Sequence, residues 1–333
     1  MNICIRADGG NFIGMGHVMR TLVLAIELSG NHTVFYACKV DTPLTEKYKA
    51  GINKIKKEGF VVVEIHEETL YDDIVKIKAD CILTDSYDVD EEYFNILKAH
   101  FKLTGCIYDT NATNMHFNVD FFINPDAYAK ELKYVVNSTT KMLIGSDFVI
   151  LREGFLKCKP KGVKEKITNI LITLGGSDYN NLTEKILKSI FKLKEYTFHI
   201  IVGPAFKYKD RLFEYRSDKI KIYYDINNMQ DVMVECDVAI SACGTTLYEL
   251  MYCGVPIIGI IAAANQIIEA EAMEKIGAII ISNELELRQH ILQLTTNKRV
   301  KMNYIGKDLV DGMGCKRIVS IMENLYNIKN ISR

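Results

Sequence analysis

Apolar residues in the first half of the chain fall into short continuous runs, with amphipathic stretches between them. The runs over 1–5, 33–37, 60–65, 81–84, 104–108 and 121–123 predict strands. The patterns over 17–29, 45–58, 69–78 and 91–101 predict helices, two of them stopped by Gly30 and Gly59. Continuous rather than alternating apolar strands are buried on both faces, which argues a parallel sheet covered by helices. The alternation breaks over 152–166, where the charged segment 158–166 carries Pro160 and Gly162 and reads as a linker. It then resumes, with strands predicted over 167–173, 196–202, 219–223, 238–241 and 256–260. Helices are predicted over 181–191, 229–235, 245–253, 266–276 and 316–326.

A chain of 333 residues suits two domains of ordinary size. The expected division is a Rossmann-like domain over 1–157 and a nucleotide-binding Rossmann-like domain over 158–333, with the last helix free to pack back on the first. Two such α/β units facing one another enclose a cleft, and ligands of open α/β sheets bind outside the carboxyl ends of the strands. A net charge of −1 argues against a nucleic-acid or anionic-membrane partner. No apolar run approaches the ~18 residues of a membrane span, and the chain opens on a strand without a secretory apolar segment. The expected setting is cytoplasmic, as a monomer or weak oligomer. The nine cysteines are scattered, with no C-x-x-C pair, and read as reduced core thiols; neither a metal site nor a cofactor is expected.

The stretch from Ile5 to Arg20 carries the strongest chemical signal. A strand runs into a loop containing Gly9, Gly10, Gly14 and Gly16, and a helix starts at about His17. Glycines let backbone approach a ligand, and a helix start offers free N–H groups and partial positive charge. His17 is thus placed beside a phosphate or a water. Asp85 and Tyr87, and then Tyr108 and Asp109, end successive strands toward the same place; Asp85 suits either orienting an imidazole or capping a helix. In the second half, Gly175-Gly176-Ser177-Asp178 and Gly203-Pro204 end strands. Gly244-Thr245-Thr246 opens a helix suited to a diphosphate, with Glu249 one turn on and able to accept from a ribose diol; a Thr cap and a solvated Glu are the plainer alternative. Asn265 and Gln266 suit sugar hydroxyls or acetamido groups, or a helix cap at Asn265. The loop lacks the glycine spacing of a dinucleotide fingerprint, and no P-loop lysine motif occurs.

Taken together, Gly14-x-Gly16-His17-Val18-x-Arg20, Asp85-x-Tyr87, Leu151-Arg152-x-x-Phe155, Gly175-Gly176-Ser177-Asp178, Cys243-Gly244-Thr245-Thr246-x-x-Glu249, Asn265-Gln266 and Val310-Asp311-Gly312-x-Gly314 resemble the UDP-sugar hydrolases of pseudaminic acid biosynthesis. Their substrate is UDP-2,4-diacetamido-2,4,6-trideoxy-β-L-altropyranose, and spore-coat polysaccharide proteins are among their relatives. The second half also resembles the nucleotide-binding half of the transferase that adds N-acetylglucosamine to the peptidoglycan lipid precursor. The resemblance implies a GT-B fold. It implies His17 as general base activating water against the anomeric carbon, with inversion, C–O cleavage and no metal. It implies Tyr87 beside that water, Arg20 and Asp85 among the residues that bind the substrate, Glu249 on ribose, Gly244, Thr245 and Thr246 on the diphosphate, Asn265 on the sugar side, and the 224–229 loop, with Asn228 and Met229, over the uracil. Cys243 stands where a Gly or Ser is expected in that turn.

Three rival readings share the architecture. A GT-B transferase using a UDP-sugar donor for surface polysaccharide differs only in the attacking group. It would want an acceptor-facing patch, and Lys47, Lys49, Lys54, Lys56 and Lys57 read instead as a solvated basic helix face. A 2-epimerase would want more carboxylates and basic groups around the sugar, and a non-enzymatic binding module would have no use for His17 in its glycine frame.

Overall fold

Parallel pairing organises both halves of the chain. The computed structural model describes residues 1–11, 13–109, 114–176, 178, 180–203, 206–226 and 228–331. The chain divides into two units, Met1–Arg152 with Met313–Arg333, and Glu153–Gly312.

The sheet of the first unit runs in the order Val62–His66, Thr33–Val40, Asn2–Ala7, Cys81–Asp85, Leu103–Ile107, Phe121–Asn124 and Lys141–Ile144. Every neighbour in it is parallel. Its central strands are buried on both faces, as their mostly apolar, non-alternating sequences require. The helix Gly16–Ser29 lays Val18, Leu22, Ala25 and Leu28 on one face of the sheet. The helix Gly314–Ile331 completes that core with Cys315, Ile318 and Met322, although it lies at the far end of the sequence. The other face is packed by Tyr93, Phe94 and Leu97 of Glu91–His100.

The sheet of the second unit runs Ile220–Tyr224, Thr197–Val202, Asn169–Thr173, Val238–Ala242, Ile257–Ile260 and Ile279–Ser282, again parallel throughout. All nine cysteines are free thiols, and only Cys158 among them is not buried.

The structure departs from the sequence reading in several places. The helix expected over 45–58 is confined to Lys49–Lys57, and that expected over 69–78 to Leu70–Ile74. Strands Lys141–Ile144 and Ile279–Ser282 and helices Lys209–Phe213, Leu287–Gln293 and Thr296–Leu309 were not anticipated. The segment 158–166, expected as a linker, is tied into the second unit. Lys161 accepts from Asn303 at its carbonyl (3.1 Å), and Lys164 pairs with the buried Asp237 carboxylate (3.2 Å). Residues 153–157, expected with the first domain, group with the second unit.

Candidate active site

Strands Asn2–Ala7 and Cys81–Asp85 lie side by side with Ala7 opposite Asp85. The order of the first sheet reverses about Asn2–Ala7, and such a reversal leaves a crevice at the carboxyl ends of the strands. The loop leaving Ala7 folds into a tight ribbon, in which Gly10 N–H donates to Gly14 O (3.1 Å) and Gly14 N–H returns to Gly10 O (2.9 Å). Gly14 has φ +81°, a conformation that side chains with Cβ resist. A Cβ on Gly10 would stand 2.2 Å from the carbonyl oxygen of Lys47, whereas one on Gly16 would meet nothing within 4 Å. Gly10 is therefore a packing glycine, and Gly16 leaves the helix start open. Gly10→Ala should cost roughly 2–3 kcal/mol through backbone displacement, while Gly16→Ala should keep the wild-type Tm; thermal unfolding of the two variants checks the contrast.

The helix opens with no side-chain cap and no acid in its first turn, so its N–H groups remain available to an incoming ligand. One residue in, His17 is almost fully buried. Its Nδ1 lies 2.7 Å from Asp85 Oδ1 and 3.1 Å from the Asp85 carbonyl oxygen. Both are acceptors, so Nδ1 carries the proton and donates, and Nε2 is the basic nitrogen. Asp85 is wholly buried. Burial opposes its charge, yet the Arg20 guanidinium and the His17 hydrogen bond hold its carboxyl down at about 2. Arg20, one turn beyond His17, donates from Nε to Asp85 Oδ2 and from Nη2 to Asp85 Oδ1, both at 2.6 Å. The same guanidinium donates to Asp109, which also accepts from the Tyr87 hydroxyl. The half-exposed Tyr87 ring stands edge-on to the imidazole, with centroids 4.6 Å apart.

These groups border a cavity of about 330 Å³ within the first unit, lined by His17, Tyr87, Asp8, Ser86, Asp88 and Lys47 among others. Its charges are internally matched. Asp8 pairs with the fully buried Arg6 (2.9 Å), Asp88 with Lys39, and Lys47 with Glu67 (2.7 Å). Arg20, expected to bind substrate, is committed to two carboxylates. Lys47, read from sequence as part of a solvated helix face, instead lines the cavity just before the helix. The buried Arg6–Asp8 pair was not anticipated, because a lone charged residue inside an apolar run gives no sign of its partner.

The second unit presents the other predicted residues at the carboxyl ends of its strands. Gly175, with φ +92°, and Gly176 follow Asn169–Thr173 and are exposed. A Cβ on Gly203 would lie 2.3 Å from Gly176 O, so these two loops are in backbone contact. Ser177 lies outside the described residues, as does Pro204. Asp178 caps the next helix through Leu182 N and Thr183 N (2.8 Å each). Thr245 occupies the cap position of the helix Thr246–Cys253 without a side-chain capping bond and is exposed, and Gly244 and Thr246 flank it. Glu249 is buried rather than solvated. Gln266, not Asn265, holds the cap position of Ile267–Lys275, and its Oε1 accepts from Ala262 N (2.9 Å). Asn265 is exposed in a short 3-10 turn. Asn228 bonds Asp231 (2.9 Å) and precedes the helix that begins at Met229. Among the described residues, no three His, Cys, Asp or Glu side chains gather as a metal site, and no helix is long and apolar enough to cross a membrane.

Residues 169–304 match the glycosyltransferase family 28 C-terminal domain. The uncharacterized protein MJ1062 of Methanocaldococcus jannaschii is 30% identical, over 99% of this chain and 68% of that protein. The UDP-2,4-diacetamido-2,4,6-trideoxy-beta-L-altropyranose hydrolase of Campylobacter jejuni is 25% identical, over 75% of this chain and 88% of its own. Among solved structures, Acinetobacter baumannii MurG superposes with a TM-score of 0.66 at 15% identity, over 97% of this chain and 99% of that one. The two parallel-sheet α/β domains are those of the GT-B fold.

Proposed function

The chain belongs to the family of the Methanocaldococcus jannaschii protein MJ1062, and from its similarity to the Campylobacter jejuni hydrolase and the geometry around His17 we propose that it is a metal-independent hydrolase of a UDP-activated sugar. The substrate is a UDP-diacetamido-trideoxy sugar of the nonulosonic (pseudaminic) acid route, cleaved to UDP and free sugar. The observation that carries the reading is the His17–Asp85 pair: a buried carboxylate 2.7 Å from Nδ1 holds the proton there and leaves Nε2 free to take one from water. Water deprotonated there attacks the anomeric carbon from the face opposite the leaving diphosphate, and the C–O bond to UDP breaks with inversion. Tyr87, edge-on to the imidazole, bounds the space for that water. The N–H groups near Gly14 and Gly16 face the reacting centre. In the second unit the strand-end loop at Gly175 and Gly176 and the helix start at Gly244, Thr245 and Thr246 receive the diphosphate. Glu249 accepts from ribose, Asn228 and Met229 flank the uracil, and Asn265 and Gln266 meet the sugar. The enzyme works in the cytoplasm as a monomer or weak oligomer.

Incubation with a panel of UDP-sugars and no acceptor tests the proposal: UDP release from a diacetamido sugar is the expected outcome, and no release from any of them overturns it. Activity in excess EDTA should equal activity with Mg²⁺; a collapse restored by one cation contradicts metal independence. Glu249→Ala should weaken UDP binding by roughly 10-fold or more, the loss of one or two charge-assisted hydrogen bonds, as read by calorimetry. One observation favours a second reading, a GT-B transferase. The cavity of about 330 Å³ exceeds the ~30 Å³ share of one water and has room for an acceptor hydroxyl with its carrier. UDP release that depends on added acceptor would select that reading.

A further inference from the structure

His17 is one member of a closed ring of contacts. Its Nδ1 donates to Asp85, Asp85 accepts from Arg20, Arg20 donates to Asp109, Asp109 accepts from Tyr87, and the Tyr87 ring packs edge-on against the imidazole. The five residues come from three segments: the helix Gly16–Ser29, the end of Cys81–Asp85 with the turn after it, and the chain leaving Leu103–Ile107. Asp109 is the only carboxylate in this ring that touches neither the imidazole nor, on the reading above, the substrate. Its side chain is 14% exposed, as is that of Arg20.

We propose that Asp109 is the positioning residue of this site, fixing the tautomer and basicity of His17 through Arg20 and Tyr87. The inference deepens the hydrolase reading and rests on it for catalysis alone; the state of the imidazole is measurable without substrate.

Two forces produce the effect. The first is orientation. Arg20 alone on Asp85 could pivot with its long side chain, and the second carboxylate pins the guanidinium plane so that Asp85 keeps Oδ1 toward Nδ1. The Tyr87 hydroxyl, donating to Asp109, holds the ring that limits rotation of the imidazole. The second force is charge. His17 sits beside Asp85, the Arg20 cation lies behind Asp85, and Asp109 offsets that cation. Burial opposes the Asp109 charge, but Arg20 keeps its pKa below the ordinary carboxylate value. The other titratable groups facing the imidazole are Asp8 from the first strand, Lys47 and Tyr48 from the turn before Lys49–Lys57, and Ser86-flanking Asp88. Tyr108 stands behind Tyr87, Cys106 senses the Asp85 charge from the adjacent strand, and Tyr36 does so from the strand beyond Asn2–Ala7. Asp8, Lys47 and Asp88 are each paired with an opposite charge of their own. The uncompensated balance at His17 is therefore set by Asp85, Arg20 and Asp109.

The signs follow. Without the Asp109 charge, Arg20 is less offset, the imidazolium is disfavoured, and the His17 pKa falls. Without the Arg20 charge, two carboxylates act on the imidazole and its pKa rises.

The experiment is ¹⁵N NMR of histidine-labelled, ligand-free protein between pH 5 and 9, with the His17 resonances assigned from their loss in His17→Gln. Wild type should show a neutral form protonated at Nδ1. Asp109→Asn should lower the His17 pKa by about 0.5–1 unit and mix the two tautomers. Arg20→Gln should move the pKa by a similar amount in the opposite direction, and Asp109→Glu should restore the wild-type state. If Asp109→Asn fails to fold, Asp109→Ser, which also removes the charge, is read in its place with the same fall and tautomer mixing expected. An unchanged pKa and tautomer in the folded variants overturns the proposal. With a substrate in hand, Asp109→Asn should lower kcat by roughly 10-fold, shift the acid limb of its pH profile downward, and leave KM close to wild type. Failure to find any hydrolysed UDP-sugar would sink the hydrolase reading and leave the NMR result standing.

Discussion

Replacing His17 with Asn is expected to lower turnover about 100-fold or more, the usual scale for loss of a general base, while UDP affinity stays unchanged. The separation arises because His17 belongs to the first unit and the residues proposed for the nucleotide belong to the second. A variant that loses turnover and UDP affinity together would mean that His17 binds the nucleotide; one with near-normal turnover would remove it from the chemistry. Single-turnover UDP release and calorimetry with UDP distinguish these outcomes.

The second large effect is expected at Asp85. Asn is nearly isosteric, but its amide can present a donor to Nδ1. That favours the other tautomer and places the proton on Nε2, where the base must be free. Turnover should fall by about 100-fold or more, by analogy with orienting carboxylates elsewhere. Stability should fall as well, because Arg20 loses a buried carboxylate partner; the expected cost is about 3 kcal/mol. The pH dependence has a definite sign. The folded-state pKa of Asp85, near 2, lies below the ordinary carboxylate value, so its stabilisation is full above pH ~4. It drains away as the pH falls from about 4 to about 2. Wild-type denaturant midpoints should drop across that window more steeply than those of Asp85→Asn.

Much of the architecture was legible because the central strands are short, mostly apolar runs closed by small or polar residues. Cys81–Asp85 and Val238–Ala242 are of this kind, and both are buried along their whole length. The helix Thr296–Leu309 was invisible for the opposite reason. Its buried face is built from Arg299, Met302 and Gly306 rather than an apolar stripe. Arg299 donates to the carbonyls of Lys164 and Glu165 (2.8 and 2.7 Å), and Gly306 lets the helix approach Met251. The same contacts explain why 158–166 looks like a linker in sequence and is not one. Charge composition signals solvent exposure, and nothing local reveals that Lys161 and Lys164 answer the buried Asp237.

The site shows the same division. His17, its glycine frame and Asp85 lie at strand and helix ends, where loop chemistry concentrates, and so stand out from the chain. The link from Arg20 to Asp109 spans 89 residues, and only the register of the parallel sheet, with Asp85 beside Ile107, brings them together. Arg20 one turn after His17 is compatible with phosphate binding or with an internal carboxylate, and sequence alone offers no means of choosing.

The central claim is that water, activated by His17, attacks the sugar carbon. Hydrolysis in ¹⁸O-water tests it most directly. The label should appear on the anomeric oxygen of the released sugar, whose configuration before mutarotation is opposite to that of the substrate, and UDP should remain unlabelled. Label in the UDP phosphate, or release of UDP only after an acceptor is added, would contradict the account.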